Sequence, residues 1–383
     1  MIDFRTVRQY NFPTTIRFGA NAIEELPQHL LNVGFRRPLL VSDGIVVQLD
    51  FFRNIQTSLA AKKISVEVFS DIHKNPVKSD VLKGKASFSE TERDCIIAIG
   101  GGAAMDVARA IALSIHHTRD LFDYDDLIGG DKYITGQVPY FITVPTTSGT
   151  GSEVGRSAII AEDDTHKKRI LFSPKLLAKI VFADPMLTMD LPPFITAATG
   201  MDALTHNMEA FIAKDFHPLC EGIALEGMAI ISQSIVAAVN KPDLESRSKM
   251  MIASLMGAVA FQKGLGVVHS LAHPLSALLD THHGLANAVN LPYGMRFNRS
   301  GLEASFKKMA VAMNLKDDQD EGLIKFLFSL NEQTGLPVKL RGIGVKPEHI
   351  ETLAELAEND FCHLNNPKPV SREDFKRLYL EAL

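Results

Sequence analysis

Cysteine is scarce in this chain: Cys95, Cys220 and Cys362 are the three in 383 residues. An odd, scattered set argues against a disulfide framework and suits a reducing compartment. Positive charge is not in excess either. Lys and Arg number 40 against 45 Asp and Glu, a net charge of −5, so no nucleic-acid partner is expected. No apolar run approaches the length needed to span a bilayer, and no membrane partner is expected. The opening Met1-Ile2-Asp3-Phe4-Arg5 lacks the charged-then-apolar pattern of a secretory leader. The expected location is the cytoplasm. Fixed-period repeats and low-complexity tracts are absent too, which excludes solenoids and propellers.

What remains is ordinary globular composition, 46% apolar and 22% charged, in a chain long enough for two cored domains. The first half alternates β-branched runs with helical patterns. Pro38–Ser42, Ile64–Phe69, Cys95–Ile99 and Tyr140–Val144 read as strands, and Val47–Lys63 and Ala103–Ile115 as helices. Ser157–Ile160, Arg169–Phe172 and Ile180–Phe182 read as further strands. That alternation predicts an α/β domain with a parallel sheet. After Asp184-Pro185 the texture changes to long Ala-, Leu- and Met-rich periodic segments, with loops marked by Lys241-Pro242-Asp243 and Gly335-Leu336-Pro337. The expected domains are 1–188, α/β and dinucleotide-binding, and 189–383, all-helical and metal-binding.

Three glycines, Gly100, Gly101 and Gly102, close the third of these strands, and a helix follows at once. Glycine lets a phosphate approach the backbone, and a helix N-terminus offers free N–H groups. This favours a pyrophosphate over a plain turn. The standard fingerprint is inverted, however. There the glycines follow the first strand and the acid comes later; here Asp43 ends the first strand read. Taken alone, Asp43 is a turn residue in Ser42-Asp43-Gly44. Thr146-Thr147-Ser148-Gly149-Thr150 puts hydroxyls and glycine straight after another strand, and Lys167-Lys168-Arg169 is a run of cations.

The densest chemistry lies further on. Asp202 and His206 are four apart, as are His269 and His273, and His282-His283 precede Gly284. Residues at i and i+4 share a helix face, so each pair can aim two donors at one point. Imidazole nitrogen with carboxylate oxygen suits zinc or ferrous iron. Helical His and Asp are otherwise commonly solvated or satisfied by hydrogen bonds. Glu209, three residues after His206, is either an orienting acceptor for it or a solvated charge.

Gly100–Asp106, Val144–Val154 and the frame from Gly200 to Gly284 resemble the iron-containing (group III) alcohol dehydrogenases, and the likeness runs to Asn366-Pro367-Lys368-Pro369. The resemblance implies an α/β nucleotide-binding domain, Rossmann-like but not standard, followed by an all-α metal domain, a dehydroquinate-synthase-like architecture. It implies Fe2+ or Zn2+ on Asp202, His206, His269 and His283, with His273 beside the nicotinamide, where an imidazole that ordinarily titrates near neutrality suits a proton relay. It implies a dinucleotide on Asp43, Gly100, Gly101, Gly102, Ala103, Asp106, Thr146, Thr147, Ser148, Thr150 and Lys168. Asp43 would face the adenosine ribose, where a carboxylate repels a 2′-phosphate, so NAD is expected over NADP. The implied activity is NAD-linked interconversion of a small alcohol with its aldehyde or ketone, in a homodimer or larger homo-oligomer. The alternatives are a dehydroquinate-synthase-like lyase that uses NAD without net turnover, a glycerol or hydroxy-acid dehydrogenase, and a structural metal site. Three departures stand out: Ala103 replaces the family's Ser, Ser276 its Gly and His282 its Pro. His282 is thereby a rival to His283 as ligand, and the departures near the metal bear on the substrate pocket.

Overall fold

The computed structural model describes residues 12, 14–317 and 319–383. The opening five residues read for a leader lie outside this set. The chain forms two compact units. One is built from residues 14–147 and from Ser152–Met189; the other contains Phe12, Ser148–Gly151 and Asp190–Leu383.

The first unit carries a six-stranded parallel sheet of β1 (Thr15–Phe18), β2 (Pro38–Val41), β3 (Glu67–Phe69), β4 (Cys95–Gly100), β5 (Tyr140–Pro145) and β8 (Ile180–Ala183), in the order β1-β8-β5-β4-β2-β3. Parallel strands are covered on both faces and so read as continuous apolar runs. Every residue of Pro38-Leu39-Leu40-Val41 and Cys95-Ile96-Ile97-Ala98-Ile99-Gly100 is buried. The pleat then divides them. Leu39, Val41, Ile96 and Ala98 join one core; Leu40, Cys95, Ile97 and Ile99 join another on the opposite face. Helices α3 (Lys78–Glu90) and α4 (Gly102–Ile115) build the first core, and α1 (Leu26–Val33) and α2 (Asp50–Ala61) the second.

Two differences from the sequence reading follow. Thr15–Phe18 precedes the strands read from sequence, so Asp43 follows the second strand and the glycines close the fourth. The runs at β6 (Ser157–Ala161) and β7 (Lys168–Phe172) are strands, but they form a two-stranded antiparallel hairpin of their own, outside the six-stranded sheet. Strand order reverses between β2 and β4, the switch point where open α/β sheets bind ligands at the strands' carboxyl ends.

The second unit has no strand among the described residues. Its helices are α5 (Pro193–Ile212), α6 (Pro218–Asn240), α7 (Leu244–Ala260), α8 (Val267–Leu279), α9 (His283–Asn298), α10 (Glu303–Ala312), α11 (Asp320–Gln333), α12 (Ile350–Glu358) and α13 (Arg372–Ala382). Helix α5 is buried on every side from Thr196 to Ile212 and packs against α6, α7 and α9. A helix apolar all round belongs at a core's centre, and this one carries polar residues there. Helix α6 corrects one reading: by length and composition it is apolar enough to cross a membrane. Its buried stripe, Cys220, Ala224, Met228, Ile231 and Ile235, is packed into the helical core.

Candidate metal and dinucleotide sites

Helix α5 presents Asp202, His206 and Glu209 over two turns, and helix α8 presents His269 and His273. The start of α8 is fixed by Asn366, which is fully buried and accepts from the Val267 amide at 3.1 Å. His283 is the first residue of α9. Gly284 lets that end abut α5: a Cβ there would stand 2.4 Å from the Ala198 carbonyl oxygen. The crossing places His283 Nε2 3.5 Å and His206 Nε2 3.9 Å from the same Asp202 oxygen. One donor atom each from Asp202, His206, His269 and His283 lie within 4.8 Å of one another. Ligands at the usual ~2.0–2.2 Å from an ion stand roughly 3.4 Å apart in a tetrahedron, close to these spacings. His282, at the N-cap of α9, is outside the cluster.

The ring nitrogens are prepared as ligands. His269 Nδ1 lies 2.6 Å from Glu209 Oε2, and His206 Nδ1 lies 3.3 Å from the Gly149 carbonyl oxygen. With Nδ1–H donated to these oxygens, Nε2 keeps its lone pair toward the cluster. Burial and the nearby His206 hold the His269 imidazole well below its ordinary value, so it stays neutral. Burial also pushes the Glu209 carboxyl up to about 7, against the amides of Val268, Gly266 and His269 that bond it. Burial works the same way on Asp202, but His206, His283 and His269 more than offset it and bring that carboxyl down to about 2.

These residues fit a divalent cation. The Asn287 amide nitrogen sits 2.7 Å from Asp202 Oδ1, 3.1 Å from His283 Nε2 and 3.2 Å from His269 Nε2. Two amide hydrogens cannot serve three acceptors, and His206 Nε2 adds a fourth. A surplus of lone pairs converging in a buried spot is the chemistry of a cation site.

His273 is not among the four. Its ring stacks on His283 with centroids 5.3 Å apart, and its Nδ1 meets Asp360 Oδ2 at 2.7 Å. Burial tends to raise the Asp360 carboxyl, but His273 and bonds from Ser270 and the Cys362 amide hold it well below the usual carboxylate range. Its side chain is 23% exposed against 1% for His269, so solvent reaches it.

In the α/β unit the carboxyl ends of β2 and β4 meet. Ser42 Oγ donates to the Ile99 carbonyl at 2.6 Å, and Asp43 Oδ1 accepts from the amides of Ile45 and Val46 at 2.9 Å each. Asp43 Oδ2 points toward Gly100: a Cβ there would stand 3.5 Å from it and 2.7 Å from Ala104 Cβ. The space a side chain would fill is therefore a cradle. Gly102 and Ala103 open α4, whose first amides face outward from the helix end. Thr146 N donates to the Gly100 carbonyl at 3.0 Å, and the Thr147 side chain packs over Gly101.

Asp43, Gly100, Gly101, Gly102, Ala103, Thr146 and Thr147 thus gather at one switch point. Ser148 and Thr150 are grouped with the helical unit. Asp106 is the fifth residue of α4, and its oxygens accept from Ser152 Oγ at 2.8 Å and the Ile159 amide at 3.1 Å, with Arg109 beside them. Lys168 opens β7 and lies near enough to act on Asp106 by charge.

Sequence reasoning misses Asn287 and Asp360, and Glu209, open there as an acceptor for His206 or a solvated charge, is buried and engages His269 Nδ1 instead. Asn287 was findable, since it follows His283 by four on the same helix. Asp360 is 87 residues from His273, with no local signal. Glu209→Gln is expected to cost ~10–100-fold in metal affinity, because the amide would turn a donor toward the Val268 or His269 nitrogens. Chelator competition measures this; an unchanged dissociation constant would rule out the orienting role.

The family model described as "Iron-containing alcohol dehydrogenase" matches residues 13–185, and "Fe-containing alcohol dehydrogenase family, C-terminal" matches residues 196–383. The chain is 39% identical to a 4-hydroxybutyrate dehydrogenase of Cupriavidus necator, over 97% of this chain and 98% of that one. The crystal structure of a 1,3-propanediol oxidoreductase is similar with a TM-score of 0.93 at 31% identity, over 98% of this chain and 100% of that one. A sulfoacetaldehyde reductase of Bifidobacterium kashiwanohense, solved in complex with NAD+, is similar with a TM-score of 0.90 at 26% identity, over 98% and 99% of the two chains.

Proposed function

The chain belongs to the iron-containing alcohol dehydrogenase family and is an oxidoreductase of CH–OH groups, and on that premise we propose how its residues divide the work. The observation that carries the reading is the convergence of Asp202, His206, His269 and His283 on one buried point with surplus lone pairs. When bound, the divalent metal supplies Lewis acidity toward the substrate oxygen and the dinucleotide supplies the hydride acceptor.

Asp202, His206, His269 and His283 hold the metal, an N₃O set that accepts ferrous iron or zinc, with cellular availability deciding between them. Glu209 keeps the His269 lone pair available. The Gly100–Gly102 turn and the first amides of α4 bind the pyrophosphate. Asp43 holds the adenosine ribose and disfavours a 2′-phosphate, so the cofactor is NAD. Thr146, Thr147, Ser148, Thr150 and Lys168 take the nicotinamide half, and Asp106 braces the start of α4 through Ser152 and Ile159. His273, with Nδ1 engaged by Asp360, offers Nε2 to the proton a hydroxyl loses. The enzyme works in the cytoplasm as a homodimer or larger assembly.

The test is steady-state kinetics of metal-reconstituted protein with NAD and NADP against 4-hydroxybutyrate, 1,3-propanediol and short alcohols. Sustained NADH formation is expected, with NAD favoured; NAD bound without turnover would point to the lyase alternative. His273→Ala is expected to lower kcat by ~10²-fold and to alter its pH profile. If both stay as in the parent enzyme, His273 carries no proton.

A further inference from the structure

The segment Ser148–Gly151 has a role that the functional reading above does not use, though the inference rests on that reading. These residues leave β5 by way of Thr146-Thr147 and return to the α/β unit at the turn Ser152–Val154, yet they pack with the helical unit. Gly149 is pressed against α5: a Cβ on it would stand 2.6 Å from Thr199 Cβ and 2.8 Å from the Thr199 carbonyl oxygen. Gly151, with φ of +61°, is pressed against α7, where its Cβ would stand 2.1 Å from Ala258 Cβ. Held this way, the Gly149 carbonyl accepts from His206 Nδ1 at 3.3 Å. It thereby decides which nitrogen of that ligand keeps a lone pair. Just before this segment in the chain, Thr146 and Thr147 are seated on Gly100 and Gly101. The residue that orients a metal ligand is therefore the next but one from the residue that lies on the phosphate-binding turn.

We propose that residues 146–151 couple the two ligands. Metal held through His206 and a diphosphate seated at Gly100–Gly102 each favour the same ordering of this segment, so each strengthens the binding of the other. A segment ordered by one ligand costs the second less to order, and such coupling is reciprocal. The Gly149 carbonyl is the positioning group in this scheme.

The experiment uses the full chain, Zn2+ and ADP-ribose. ADP-ribose carries the adenosine and diphosphate without the nicotinamide ring, so any coupling cannot come from that ring touching the metal. Zn2+ affinity is read by competition with a chromophoric chelator, and ADP-ribose affinity by calorimetry. Saturating ADP-ribose is expected to tighten Zn2+ ~5-fold or more, and Zn2+ to tighten ADP-ribose by the same factor. Gly149→Ala and Gly151→Ala, which displace the segment, are expected to weaken Zn2+ ~10–100-fold and to bring the coupling factor near one. If neither variant folds, the wild-type titrations decide alone. Both ligands binding with constants indifferent to each other would overturn the coupling and leave the function standing. Failure of the chain to bind either one would overturn both. A folded Gly149→Ala with undiminished coupling would overturn the assignment to this segment.

Discussion

Asp202→Asn is expected to abolish metal retention and to lower kcat/KM by ~10³-fold or more, about 4 kcal/mol of transition-state stabilisation. The substitution keeps the volume, so α5 and its buried surroundings need not repack. It removes the one charge among the four proposed ligands, which neighbouring imidazoles hold ionised down to about pH 2. It also sets an amide against Asn287, whose nitrogen now donates to Asp202 Oδ1 at 2.7 Å. Metal content after dialysis, chelator competition and a thermal melt of the metal-free protein separate loss of the ion from loss of the fold. A folded variant that keeps one equivalent of metal and a tenth of the parent rate would sink the proposed ligand set.

Gly284→Ala adds a single methyl group and is expected to act nearly as strongly. Its Cβ would stand 2.4 Å from the Ala198 carbonyl oxygen, 2.9 Å from the carbonyl carbon and 3.2 Å from Asp202 Cβ. The nearest atoms are backbone of a buried helix and cannot swing aside. Helix α9 must back away from α5 by about an ångström, carrying His283 with it. Overpacking of this kind costs ~1–3 kcal/mol, and misplacement on that scale costs ~10²-fold in rate. The expected signature is a lowered melting temperature together with weakened metal binding. A control, Gly222→Ala, adds a methyl where no atom lies within 4 Å and should neither lower the melting temperature nor weaken metal binding. Parent-like metal affinity in Gly284→Ala would show that the close approach of α9 to α5 does not place His283.

Both effects turn on contacts between segments about eighty residues apart, and this is where sequence reading stops. The i, i+4 pairs at Asp202/His206 and His269/His273 were legible because helical period is a local property. The buried strands and the glycine turn were legible for the same reason. The sequences of β6 and β7 mark them as strands but not their pairing, since two short apolar runs do not state what lies beside them. The strand Thr15–Phe18 gives no strand signal in the sequence because it is mostly exposed and carries no apolar run.

By itself the sequence determined the two textures of the chain, the turn that suits a phosphate, and five imidazoles and a carboxylate in the right part of it. Tertiary structure decided which imidazoles share a point, that Glu209 serves His269, that Asp360 backs His273, and that Ser148–Gly151 lies with the helices. The physical reason is that ligand geometry is set by where helices cross. Crossings depend on how closely backbones approach, as at Gly284 and Gly149, and no period along one helix encodes the distance to another.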